Sequence, residues 1–210
     1  MQRNPWHNLP TAAPYVLPED RLAVDVFNRS ANEKIRLHVE TAPEPFLGPI
    51  DAPIVVLLLN PGVDKVGEYD TGLADAIRRS DDQTSHFYIG GGNRWWRTLT
   101  KSLAAKRPVA GIARSILSVE FFPYRSISFG CGHVRLPSQT FSFELVRRAM
   151  RRKAAIVIAR GERQWIGAVP ELSAGYPLLR LSNPRMASLS ANNLGSEGHV
   201  RLIAALDRAL

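Results

Sequence analysis

Cysteine is nearly absent: Cys131 is the only one in 210 residues. A single thiol closes no intrachain disulfide, no cysteine zinc site and no iron-sulfur cluster, which points to a reducing, cytosolic compartment. Long apolar stretches are missing as well. Uninterrupted apolar runs reach six residues, as in Ile54 to Leu59, against the ~20 needed to cross a bilayer, so no membrane contact is expected. The N-terminus, Met1-Gln2-Arg3-Asn4-Pro5-Trp6, lacks the apolar core of a secretory signal, and no export is expected. The histidines, His7, His38, His86, His133 and His199, show no metal-ligand spacing with one another or with Cys131, so no metal or other cofactor is expected. Lysine is scarce: 5 of the 27 cationic side chains, the other 22 being arginine.

What remains is ordinary for a folded chain. With 45% apolar residues, 15 Gly and 15 Pro, dominant disorder is excluded and one globular, monomeric domain is expected. A domain of this length buries roughly 70% of the surface its unfolded chain exposes, and needs no disulfide or metal to hold a core. The formal net charge of +8 attracts polyanions and is the electrostatic footprint of a nucleic-acid binder. Arginine-favouring codon usage accounts for the same excess equally well. Arg147, Arg148, Arg151, Arg152 and Lys153 would form one basic surface on a helix, either a polyanion contact or a solvated helix end.

Residues 1–53 are rich in proline and predict an extended N-terminal lead-in that wraps the domain and encloses one helix near Glu19 to Asn32. The domain itself is expected over 54–210. Ile54 to Leu59 reads as a strand covered on both faces, as in a parallel sheet. Ile116 to Phe122, Ala155 to Arg160 and Leu178 to Ser182 are further strand candidates. Helical stretches at Trp95 to Lys106, Ser138 to Lys153 and Glu162 to Val169 separate them, and a last helix spans about Gly198 to Leu210. Strands alternating with helices predict a parallel α/β sheet of four strands. In such sheets ligands bind at the carboxyl ends of the strands. The loops Asn60-Pro61-Gly62, Pro123-Tyr124-Arg125-Ser126, Gly161-Glu162-Arg163 and Asn183-Pro184-Arg185 are therefore expected on one rim.

Two of these loops begin Asn-Pro at the end of a strand. Each alone is a turn, since Pro presets φ and Gly permits close approach; together they put two carboxamides on one face. Trp96, Leu99 and Leu103 have helical spacing and should face the core, and Asn93, behind Gly90-Gly91-Gly92, is placed to cap that helix.

The order of these motifs resembles the uracil-DNA glycosylase superfamily, and within it the mismatch-specific uracil/thymine branch. The matching stretches are Leu59-Asn60-Pro61-Gly62, Asn93-Arg94-Trp95-Trp96 and Asn183-Pro184-Arg185-Met186-Ala187-Ser188-Leu189, and the likeness covers about Pro53 to Leu210. It implies a three-layer α/β/α fold around a central, mainly parallel four-stranded sheet. It also implies hydrolysis of the N-glycosidic bond of an aberrant base flipped out of DNA, single- or double-stranded. Such chemistry passes through an oxocarbenium-like transition state, for which water must be expelled, charge stabilised and one attacking water positioned. By that resemblance Asn60 orients the water and Asn183 is the second catalytic candidate. Pro184, Arg185, Met186, Ala187 and Ser188 grip and open the DNA, and the base lies against Gly62, Tyr69, Glu120 and Phe122.

The chain departs from the branch in two places. Arg185 stands where a serine is usual, and the apolar wedge that fills the gap left by the flipped base falls at Ala187, with Met186 or Leu189 as substitutes. Glu120 stands where an asparagine reads the base. A carboxylate only accepts hydrogen bonds, which suits an amino-bearing base better than uracil. Alternatively Glu120 pairs with an arginine such as Arg125. Two rival functions remain: a nucleic-acid-binding member of the fold without turnover, and a hydrolase or transferase of free nucleotides or nucleosides.

Overall fold

The computed structural model describes residues 3–63, 70–79 and 92–207. Its centre is a mixed five-stranded sheet. The strands are β1 (Phe46–Leu47), β2 (Ile54–Leu58), β3 (Ile116–Glu120), β4 (Ala155–Ile158) and β5 (Leu179–Arg180), in the order β1-β3-β2-β4-β5. All of β2, β3 and β4 is buried. That explains the continuous apolar composition of β2 and β4, since a strand covered on both faces has no position at which a polar side chain reaches water; β3 is the exception, burying Ser118 and Glu120. The pairings β3 to β2, β2 to β4 and β4 to β5 are parallel.

The expected four strands are thus joined by a fifth, which makes the sheet mixed. Phe46 and Leu47 pair antiparallel with Val119 and Ser118. Two residues between Pro45 and Gly48 carry no readable alternation, and an edge is where a flanking proline is tolerated. Among the described residues seven α-helices accompany the sheet: α1 (Arg21–Ser30), α2 (Asp70–Arg79), α3 (Gly92–Ala104), α4 (Val109–Arg114), α5 (Gln139–Arg151), α6 (Glu162–Ala168) and α7 (Ala191–Asp207). Helices α2 and α4 were not expected from the pattern. Helix α7 starts seven residues earlier than predicted, because a turn before Gly195 (φ 73°, ψ 161°) continues into the main helix across a kink.

The lead-in does not stand apart from the core. Trp6, Leu9, Val16, Leu17, Val24 and Leu37 belong to the same apolar cluster as β2 and β3, and β1 adds to the sheet. A buried polar node fastens the two parts. Tyr124 donates its hydroxyl to Asp20 Oδ2 at 2.8 Å, Leu17 N donates to that hydroxyl at 3.2 Å, and Ser138 N donates to Asp20 Oδ1 at 3.1 Å. Burial raises the Asp20 carboxyl above its ordinary range, and these hydrogen bonds oppose the rise. Trp6 meets the Tyr124 ring edge-on at 6.2 Å.

Candidate functional site

Strand register fixes where the loops emerge. Leu57 pairs with Ile158, and Ile158 with Arg180; three residues beyond these matched positions come Asn60, Gly161 and Asn183. The two Asn-Pro loops therefore leave the same, carboxyl end of the parallel strands, on β2 and β5, with β4 between them. At a strand spacing of ~4.8 Å, their strand axes lie about 10 Å apart.

The Asn60 loop is held in place by β3 and the segment after it. Phe122 N donates to Leu59 O at 2.9 Å, and Trp165 Nε1 on α6 donates to Leu58 O at 2.6 Å. Both hydrogens of Asn60 Nδ2 are engaged, one by Pro61 O at 3.1 Å and one by Ser126 Oγ at 2.9 Å; the serine passes its own hydrogen to Ser128 O at 3.0 Å. The carboxamide orientation is thus set, with Oδ1 left as the acceptor. Sequence reading placed Ser126 on the rim, in the loop after β3, but gave it no role.

Arg125 ties the lead-in to this loop. Its buried guanidinium donates to Ala42 O at 3.0 Å, Gly62 O at 2.9 Å and Glu44 Oε2 at 2.8 Å. The glutamate it pairs with is Glu44, not Glu120. Gly62 itself is exposed, and a Cβ added there would meet nothing within 4 Å, so a ligand can approach its backbone closely.

Glu120, the last residue of β3, lies opposite Leu58 and is 4% exposed. Among the described residues its Oε2 has no hydrogen-bond partner. Desolvation pushes its carboxyl well above the ordinary value of 4.5, the nearby Glu44 carboxylate pushes the same way, and Arg125 opposes both. Phe122 is wholly buried, its ring edge-on to Tyr124 and Phe129, so it presents no open face. Tyr69 lies outside the described residues.

The second loop is built as a clasp. Asn183 Oδ1 caps the turn Pro184–Met186 by accepting from Arg185 N at 3.2 Å and Met186 N at 3.3 Å. Beneath it Asn193 on α7 accepts from Asn183 N at 2.7 Å. It donates through Nδ2 to the carbonyls of Asn183, Met186 and Ser188 at 3.4, 3.1 and 3.2 Å. Helix α3 holds the far side, where Leu189 N donates to Leu99 O at 2.8 Å and Ser102 Oγ to Leu189 O at 2.9 Å. Of the three wedge candidates, Ala187 and Leu189 are buried at 4% and 0% exposure, while Met186 stands out at 72%. Pro184 and Arg185 are exposed and Ser188 is half-buried.

Trp96, Leu99 and Leu103 face the core as expected. Asn93 is not the cap of α3, which already begins at Gly92. The basic run on α5 is largely engaged locally: Arg147 with Glu171, Arg148 and Arg151 with Glu144, and Arg152 with Ala52 O. Lys153, the last residue of the run, forms no ion pair among the described residues. The rim instead carries Arg160, Arg163 and Arg185, which form no ion pair among the described residues, and Arg180, paired with Glu162. Cys131 is buried, its thiol pushed up to about 12, and offers no nucleophile. Among the described residues no three His, Cys, Asp or Glu side chains gather as a metal site, and no helix is long and apolar enough to cross a membrane.

No protein-family model, no curated protein and no solved structure matches this chain.

Proposed function

We propose that the chain is a DNA glycosylase of the three-layer uracil-DNA glycosylase type, which hydrolyses the N-glycosidic bond of a flipped, aberrant base without a cofactor. The observation that carries this reading is Asn60: a carboxamide at a strand end, locked by Ser126 so that only its oxygen is left to accept from a water. A fixed acceptor of this kind holds a nucleophilic water in line while the glycosidic bond opens, and preorganisation of that sort is worth more than acid-base strength when the leaving base departs from an oxocarbenium ion. The turn Pro184–Met186, with Met186 projecting and Arg185 beside it, supplies the apolar wedge and phosphate contact that base flipping needs.

The state of Glu120 selects the base. As a neutral acid, Glu120 presents one O–H donor and one carbonyl acceptor, the complement of the N–H and C=O edge of a uracil-type base. As a carboxylate it would suit an amino-bearing base instead. Its buried, unpartnered Oε2 beside the Glu44 carboxylate favours the acid, so uracil-type bases come first.

Single-turnover release from oligonucleotides containing uracil or an amino-bearing modified base tests this. Uracil release that survives Glu120→Gln, which keeps one donor and one acceptor, and collapses in Asn60→Ala is the expected result. Release of no base from any substrate, with DNA affinity intact, would establish the rival reading of a binding protein. That rival draws its support from Asn183, whose side-chain oxygen is engaged in capping its own turn.

A further inference from the structure

The opposite end of the strands holds a second feature. A cavity of about 730 Å³ opens at the amino end of β4, between the end of α5, the segment leading into β5, and α7. Met150, Ala154, Ala155, Pro177 and Tyr176 give it an apolar lining. The length of β4 separates it from the Asn60 rim, about 10 Å at ~3.3 Å per residue, so the two places do not share one small ligand.

Its charge is one-sided. Lys153 and Arg201 line the cavity and form no ion pair among the described residues. The lining carboxylate, Glu171, is taken by Arg147 at 2.9 Å. Arg201 uses Nη2 to donate to Pro177 O at 2.5 Å, which aims the guanidinium and leaves its other N–H groups unassigned. Tyr176 gives its hydroxyl hydrogen to Ala154 O at 2.5 Å, so its ring acts as a wall and not as a donor. Arg201 and the partly buried Arg152 both act electrostatically on that phenol, and Asp51 faces Arg152 from outside the cavity.

Lys153 adds an independent observation. At φ 59° it is the one non-glycine residue with positive φ among the described residues. It closes α5 in the manner of a left-handed helix end: Lys153 N donates to Met150 O, and Ala154 N to Ala149 O, each at 3.0 Å. Glycine is the relaxed residue at such a position. Lys153 thus carries the strain of a left-handed backbone at a residue that lines the cavity, and strain of this kind is found at binding sites.

We propose that this cavity is a ligand site for an organic monoanion with a flat apolar body, such as an aromatic carboxylate. The ring packs on Tyr176 and Met150, and the anion meets Lys153 and Arg201. This site stands independently of the reading of the Asn60 rim.

Calorimetric titration of the full chain with 2-naphthoate, 2-naphthylmethylammonium and inorganic phosphate tests it. The expected result is that naphthoate binds while the isosteric ammonium and phosphate alone do not. Arg201→Gln and Lys153→Gly should each weaken naphthoate binding about tenfold, the loss of one charge-assisted contact. Lys153→Gly should at the same time raise Tm by a few degrees, which separates lost binding from lost folding. Equal binding of both naphthyl compounds, phosphate binding as tightly as naphthoate, or naphthoate affinity indifferent to both substitutions would each overturn the proposal.

Discussion

Asn193 accepts a 2.7 Å hydrogen bond from the backbone N of Asn183, ten residues away, and donates to three carbonyls of the loop that Asn183 opens. One side chain from α7 therefore organises the whole projecting turn. Asn183 shapes the turn from within, and Asn193 fixes it from beneath.

Replacing Asn193 with Ala removes the side-chain partner of the Asn183 N–H and of three loop carbonyls. The expected loss of stability is about 1–3 kcal/mol, the combined net worth of several hydrogen bonds at about 0.5–1.5 kcal/mol each. Amide exchange should quicken at Asn183 and Met186 before it does in β2. Unchanged protection of those two amides would show that α3 alone holds the loop.

Met186 is exposed, and Met186→Ala should alter stability by no more than about 0.5 kcal/mol, as for surface positions generally. If the side chain acts as a wedge, base release from duplex DNA should fall about tenfold or more while release from a single strand is kept, because only the duplex has a stack to open. Equal losses on both substrates would assign Met186 a contact other than wedging.

The Glu120 carboxyl is raised in the folded protein by burial, then by Glu44, against the pull of Arg125. The folded state thus holds this proton more tightly than the unfolded chain does. The associated stability is complete below the unfolded value near 4.5 and is lost as pH rises toward the folded pKa. Glu120→Gln removes the dependence, so its Tm should gain on the wild type as pH goes from 4.5 to 8. Parallel Tm curves would mean that Glu120 ionises without cost.

Gly161 adopts φ 71°, and a Cβ there would come within 2.7 Å of Leu59 Cδ1. Gly161→Ala combines left-handed strain with a clash beneath the Asn60 loop and should cost about 1–3 kcal/mol. The clash acts on the residue next to Asn60, so any base-release activity should drop further than the stability loss accounts for. Thermal unfolding and single-turnover rates on the same sample measure both.

Strands β2 and β4 were legible as continuous apolar runs, because a strand buried on both faces favours apolar residues throughout; β3 and β5, which carry Ser118, Glu120 and Arg180, were legible from their place between helices. Helix α5 was legible from its length and periodicity. Strand β1 was not, since two residues between a proline and a glycine join the sheet only because Val119 and Ser118 offer a free edge. Helix α4, at six residues, is too short for its period to be read.

At the candidate site, sequence alone determined the chemical types: two carboxamides after strands, a glutamate ending β3, an apolar residue in the last loop, an excess of arginine. Tertiary structure decided what each is free to do. It turned Asn60 by means of Ser126, engaged Asn183 in its own turn, buried Ala187 and Leu189 while exposing Met186, and gave Arg125 to Glu44, with Glu120 Oε2 left without a hydrogen-bond partner among the described residues. It also paired the arginines of the basic run on α5 locally and opened a cavity at the other end of the strands. The reason is physical: a side chain's composition fixes which hydrogen bonds and charges it can offer, but partners 66 residues away along the chain, as Ser126 is from Asn60, are supplied only when the sheet brings them together.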